Sequence, residues 1–259
     1  MNWPNAILVI TAGFFAGIVN TLAGSGSLIT LPVLIFLGLP ATVANGTNRI
    51  GVVLQNLVAG VSFRRQGVLD GRGALVLSTT AVLGSLLGAQ IAVNLDEQLM
   101  RRTIGVVMVL MLGVIVLRPK RWLQGTMLQL VGWPNAKQYA AMFAIGVYGG
   151  FIQAGVGIFL LAALVMAVGY DLVRANAVKI VVILIFTVFA LAVFVRNGQV
   201  DWGMGLLLAA GNMLGAWTAA RMAVRRGAAW VRQVLIVVVA FSALYLLGVV
   251  DWVIRIVSN

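Results

Sequence analysis

Apolar residues run along this chain in long stretches, separated by short polar or glycine-rich joints. Ten stretches stand out: roughly 5–21, 27–38, 42–63, 73–93, 99–117, 138–154, 157–168, 172–195, 203–220 and 231–250. A helix needs about 20 apolar residues to cross a bilayer, and most of these segments are of that order. Segments two and seven are shorter, since about 12 residues of helix rise only about 18 Å. Both follow glycine-rich breaks, at Gly24-Ser25-Gly26-Ser27 and at Gly155-Val156-Gly157. They are expected to be half-helices or re-entrant hairpins.

The pattern repeats. With a shift of 131 residues, Gly24 falls on Gly155, Gly26 on Gly157, Gly38 on Gly169, Ala44 on Ala175 and Asn45 on Asn176. The same register pairs Arg65 with Arg196, Gly67 with Gly198, Asp70 with Asp201, Gly84 with Gly215, Ala89 with Ala220 and Arg101 with Arg232. After a two-residue step, Gly13 pairs with Gly146 and Gly17 with Gly150. Glycine and alanine are common enough to coincide by chance, but Asn, Arg and Asp in one register are not. The expected organisation is a single integral membrane domain over 1–259, with repeat 1 at 5–120 and repeat 2 at 138–250.

Each repeat holds five segments, and an odd repeat enters the membrane the opposite way the second time. Charge supports this. With ten crossings, one side carries Arg64, Arg65, Arg72, Arg118, Lys120, Arg121, Lys137, Arg174, Arg221, Arg225, Arg226 and Arg232, twelve in all. The other carries four: Arg101, Arg102, Arg196 and Arg255. An even number of crossings per repeat would split the same residues nine to seven. Short cytoplasmic loops are enriched in Lys and Arg, so the twelve-to-four division favours inverted repeats with both termini outside. The fold class is therefore all-α, a polytopic membrane protein of two inverted-topology repeats, with broken or re-entrant helices at the glycine-rich breaks.

Composition narrows the function. The chain is 62% hydrophobic and 9% charged, against about 25% charged in soluble domains. The net charge of +12 sits in short loops, with no basic polar face for nucleic acid. There is no cysteine and no histidine, which removes disulfides, thiolate chemistry, His-ligated metals and Ser–His catalysis. No cofactor is implied and the protein is not read as an enzyme. A serine hydrolase at Gly24-Ser25-Gly26-Ser27 would have only Lys179 or Arg49 as its base. No Lys or Arg precedes the first apolar run, so that run reads as a retained membrane segment rather than a signal peptide. Trp3, Trp122, Trp133, Trp202, Trp230 and Trp252 fall near segment ends, where interfacial anchors sit.

Two basic residues lie outside the loops. Arg49 and Lys179 each stand about seven residues into a segment, roughly 10 Å along a helix. No carboxylate lies within a segment to pair with either. A buried charge in a membrane is a functional candidate by default; the structural alternative is that both side chains snorkel to an interface. Asn45 and Arg49 are four apart and share a helix face, as do Asn176 and Lys179 at three. Asn48 adds a donor, and Thr47 reads as an interhelical hydrogen bond. The half-helices that follow the breaks are expected to offer free N–H groups and a positive dipole end, which suit an anion. Asn20 and Gln153 lie just upstream as further amide donors. Gly84-x-x-x-Gly88 and Gly215-x-x-x-Ala219 let segments four and nine approach closely. The candidate substrate site is thus Asn20, Gly24, Ser25, Gly26, Ser27, Asn45, Asn48, Arg49, Gln153, Gly155, Gly157, Asn176 and Lys179.

The segment NTLAGSGSLITLPVLIFLGLPATVANGTNRIG, its weaker echo in the second half and the overall length resemble the TauE/SafE sulfite-exporter family of bacterial membrane permeases. The resemblance covers nearly the whole chain and is strongest over 13–67. The family pattern maps onto Gly24, Gly26, Pro32, Gly38 and Asn45, with Gly155 and Gly157 as a second copy. That copy lacks the proline and has Val156 where the first has Ser25. The residues alone say small anion; the resemblance implies sulfite, a sulfonate or a related organic anion, and a multi-pass protein of the bacterial inner membrane. The combined expectation is a secondary transporter with its site near the midplane; the alternative is an anion channel using the same residues. Its partners are a small anionic substrate and the lipid bilayer, with no nucleic acid, and the pattern is compatible with a homo-oligomer.

Overall fold

The computed structural model describes residues 3–117 and 134–222. The tenth segment at 231–250, most of the 118–137 loop and the residues Arg118, Lys120, Arg121, Arg225, Arg226, Arg232, Arg255, Trp122, Trp133, Trp230 and Trp252 lie outside them.

The described chain is helical, and its joints are chemically explicit. The first helix, α1 (Trp3–Ala23), ends at Gly24, whose φ is +75°. Only glycine adopts this left-handed conformation without strain. The short α2 (Ser27–Phe36) carries Pro32 within it and ends before Gly38 at φ +93°. Next, α3 (Ala41–Arg65) begins after Pro40, and the Glu97 carboxylate caps it by accepting from the N–H of Ala41 at 2.6 Å and of Thr42 at 3.3 Å. Asp70 then caps α4 (Gly71–Val93) through Gly73 N–H at 2.8 Å. Asp96 similarly caps α5 (Glu97–Leu117) through Leu99 N–H at 2.8 Å.

The second series repeats this grammar. A reciprocal Asn135–Gln138 capping box opens α6 (Ala136–Phe151). After the break, α7 (Val156–Ala163) relaxes into a π-helical turn at Leu164–Val168 and stops at Gly169. Asp171 caps α8 (Leu172–Arg196) and Asp201 caps the start of α9 (Trp202–Met222). The left-handed glycines among the described residues fall into pairs 131 apart: Gly24 and Gly155 at φ +75° and +72°, Gly38 and Gly169 at +93° and +92°, Gly67 and Gly198 at +71° and +66°.

Four described helices are long and apolar enough to span a membrane: α1, α4, α8 and the 97–115 part of α5. Helices α3, α6 and α9 fall short of what their segments imply, and for α3 and α6 the reason is local. Helix α3 has the length, at 25 residues, but its polar residues lower its hydropathy. Helix α6 stops at Phe151 rather than 154, because Ile152 is extended (φ −138°, ψ 120°) and the break starts there.

Packing rests on glycine. Helix α4 lies against α6 and α8, and α9 against α1 and α3. A Cβ at Gly84 or Gly88 would run into the carbonyl oxygens of Phe143 or Val147 on α6. At Gly211 or Gly215 it would meet those of Ile10 or Phe14 on α1. Gly13, Gly17, Gly146 and Gly150 return the same contacts from the other side. The expected close approach of segments four and nine is therefore made to the first helix of the opposite series, and the two series interlock. Met100, Ile104, Met108 and Met111 of α5 are buried in the apolar cluster that contains Leu28, Leu31 and Leu34 of α2.

Candidate functional site

The two breaks meet. Gly157 N–H donates to the Gly24 carbonyl at 3.0 Å, and a Cβ on Gly24 would stand 2.6 Å from Gly157 Cα. Two chain reversals can touch backbone to backbone here only because both positions are glycine. The contact corrects one expectation: Gly157 N–H is taken by Gly24, and Gly26 N–H by Asn20 Oδ1 at 3.4 Å, so these two amides are not free donors. Ser25 is fully buried beside them, and its hydroxyl has no partner among the described residues.

Breaking a helix leaves its last carbonyls without intrahelical partners and concentrates negative partial charge there. The two buried cations sit at these ends. Arg49 is 0% exposed and Lys179 1%, so neither snorkels to an interface. Arg49 spreads its two terminal nitrogens over successive carbonyls at the end of α6, Gly149 at 3.1 Å and Gly150 at 2.6 Å. Its guanidinium also lies 4.5 Å from the centre of the Phe194 ring, a cation–π distance. Lys179 Nζ donates to the Asn20 carbonyl near the end of α1 at 3.3 Å, and to Asn176 Oδ1 at 2.5 Å.

The paired asparagines perform the same task on each side. Asn45 Nδ2 donates to the Phe151 carbonyl at 2.7 Å, and Asn176 Nδ2 to the Thr21 carbonyl at 3.0 Å. Each uses its oxygen to accept from the neighbouring cation, as its helical spacing predicts, Asn45 from Arg49 at 3.5 Å. Asn48 binds Ser27 Oγ at 2.9 Å and accepts from Thr30 Oγ1 at 2.5 Å, tying α3 to the start of α2. Gln153 accepts from Arg49 at 3.5 Å and donates to Thr187 Oγ1 at 2.7 Å.

The structure thus brings the predicted residues into one buried region around the crossing of the two breaks. Thr47 stands apart, accepting from Asp201 N–H at 2.8 Å as an interhelical tie. Sequence reasoning missed Thr30, Thr187 and Phe194. The threonines carry a weak signal, as hydroxyls inside apolar runs; Phe194 carries none, because only packing sets it over Arg49.

Comparison with known proteins identifies a family and membrane-transporter relatives. The profile of the family described as "Sulfite exporter TauE/SafE" matches residues 9–246. The chain is 26% identical over 230 residues to a "Probable membrane transporter protein" of Haemophilus influenzae, covering 89% of each chain. It is 26% identical over 240 residues to the Sinorhizobium "Probable membrane transporter protein ORF9", covering 93% of this chain and 91% of that one. It is 25% identical over 232 residues to the "Probable membrane transporter protein YfcA" of Escherichia coli K12, covering 90% and 86%. No solved structure matches.

Proposed function

The chain belongs to the TauE/SafE sulfite exporter family, and from that premise we propose that it is a secondary carrier of small oxyanions across the bacterial inner membrane. Sulfite, sulfonates and related organic anions are the substrate class. The observation that carries this reading is the burial of Arg49 and Lys179 at the crossing of two broken helices, with helix-end carbonyls as partners. Carbonyls offset a cation only partially, which leaves positive charge in this region around Arg49. An oxyanion entering this region gains charge-assisted hydrogen bonds from both side chains.

The same geometry supplies a coupling device. In this arrangement the cations and the two asparagines hold the ends of α1 and α6. An anion that takes donors away from those carbonyls loosens the ends, and the interlocked series can then shift. The paired left-handed glycines and the crossed packing of α4 on α6 and α9 on α1 support inverted repeats as the moving parts.

The deciding experiment is a proteoliposome uptake screen over sulfite, sulfate, sulfonates and small carboxylates. Saturable, counter-transport-stimulated flux of at least one oxyanion is expected. Absence of flux for every member, or uptake of cations instead, would overturn the reading.

A further inference from the structure

Beyond the central region, α3 carries a second group of buried polar side chains. Gln55 and Asn56 lie six and seven residues past Arg49, roughly 10 Å along the helix. Asn212 of α9, which packs against α3 at Gly51, is buried as well, and each of the three is 2% exposed. Among the described residues, Gln55 Oε1, Asn56 Nδ2 and Asn212 Oδ1 have no hydrogen-bond partner. A buried polar atom without a partner is strongly disfavoured, so three unsatisfied amides in one stretch call for a guest that supplies the missing bonds.

Asn212 is positioned with care. A Cβ at Gly51 would strike its Nδ2, one at Gly17 its carbonyl oxygen, and one at Gly13 would come 3.2 Å from its backbone nitrogen. Gly51 thus makes room for the Asn212 side chain, while Gly13 and Gly17 admit the backbone of α9. Gly51 lies between Arg49 and Gln55, so Asn212 stands at the level that joins the central site to the two α3 amides. The positions 131 residues away are Phe186, Thr187 and Ala81; Phe186 is fully buried and Thr187 is used by Gln153. The polar track runs along α3 only, toward the end bearing Arg64 and Arg65.

We propose that Gln55, Asn56 and Asn212 form a second, uncharged station for the transported oxyanion, between the Arg49 site and the Arg64–Arg65 end of α3. The assignment rests on the transport reading above. As placed, Asn56 Nδ2 is the orphan donor; turning the Gln55 and Asn212 amides over exchanges their orphan oxygens for N–H groups, so that all three can donate to an oxyanion. The helices involved, α3 and α9, contain no carboxylate, and Arg49 upstream makes the local field positive. A neutral station holds an anion less tightly than Arg49, which is what a step on the way out requires.

The chain's lack of cysteine permits a direct test. Asn56→Cys and Asn212→Cys, each in otherwise native protein in membranes, are treated with methanethiosulfonate ethylsulfonate and with its cationic trimethylammonium counterpart. After correction for their rates with a free thiol, the anionic reagent is expected to react at least tenfold faster. No reaction with either reagent, or no preference for the anion, means a sealed or merely hydrated void and overturns the proposal. In proteoliposomes, Gln55→Leu/Asn212→Leu is expected to lower the maximal flux of the oxyanion that the parent carries tenfold or more, with half-saturation within twofold of the parent. Unchanged flux, or a rise in half-saturation like that of Arg49→Gln, overturns a separate station. If the parent protein moves none of the screened oxyanions, the transport reading fails on its own, and the thiol reactions still decide the station.

Discussion

At the scale of the residue, Arg49 and Lys179 are unequal although both are buried cations. Arg49 uses a planar fork to reach two successive carbonyls, Gly149 and Gly150, and stacks on Phe194. Lysine carries one ammonium and cannot reproduce that fork. Arg49→Lys is therefore expected to weaken transport despite keeping the charge, whereas Lys179→Arg is better tolerated. Arg49→Gln removes the charge as well. A hydrogen bond to a charged group contributes on the order of 1.5–3 kcal/mol, so its loss is expected to raise half-saturation roughly 10- to 150-fold. Concentration-dependent flux with purified, folded variants measures this; unchanged half-saturation in Arg49→Gln would remove Arg49 from the substrate site.

At the scale of the element, helix ends are set by single side chains whose roles can be separated from transport. Asp171 caps α8 by accepting from Val173 N–H at 2.9 Å and Arg174 N–H at 3.0 Å. Asp171→Ala is expected to cost about 1 kcal/mol, as N-cap deletions do. For a chain of this size that lowers the unfolding midpoint on the order of 2–4 °C, readable by thermal denaturation in detergent. Transport by the folded fraction is expected to stay near the parent level. The breaks behave differently. Gly24→Ala meets both a left-handed φ of +75° and the Gly157 backbone at 2.6 Å. Neither strain can be relieved by a side-chain rotation, so the yield of folded protein is expected to collapse. A stable, active Gly24→Ala protein would show that the two breaks need not touch.

At the scale of the whole molecule, the interlocked packing and the charge distribution make a topological prediction. Both termini are expected to face outward and the 118–137 loop to face the cytoplasm, from the twelve-to-four division of basic residues. Asn2→Cys and a cysteine placed in the 118–137 loop, each alone, can be probed with an impermeant thiol reagent on intact cells. Labelling at position 2 from outside, and at the loop only after permeabilisation, is expected. Cytoplasmic labelling at position 2 would remove the inverted-repeat reading. Single-site labelling is clean here because the native chain contains no competing thiol.

Legible in the residues alone were the membrane class, the nine segments that fall among the described residues, the position of both breaks and most of the side chains gathered around them. Each of these follows from local chemistry: apolar length sets a span, glycine sets a left-handed joint, and an Asn three or four residues before a buried cation shares its face. Even the short second and seventh segments were legible, because a break followed by about twelve apolar residues leaves too little helix to cross. Tertiary structure alone decided what each polar group touches. Arg49 and Lys179 read as free anion binders in one dimension, yet in space they hold the ends of α6 and α1. The loop amides read as open donors, yet the two breaks consume part of them on each other. Phe194 under Arg49 and Asn212 against Gly51 join residues 145 and 161 positions apart in the chain. No local pattern encodes such a contact; it arises when helices from opposite series pack at glycine distance, and the choice of partner is made there.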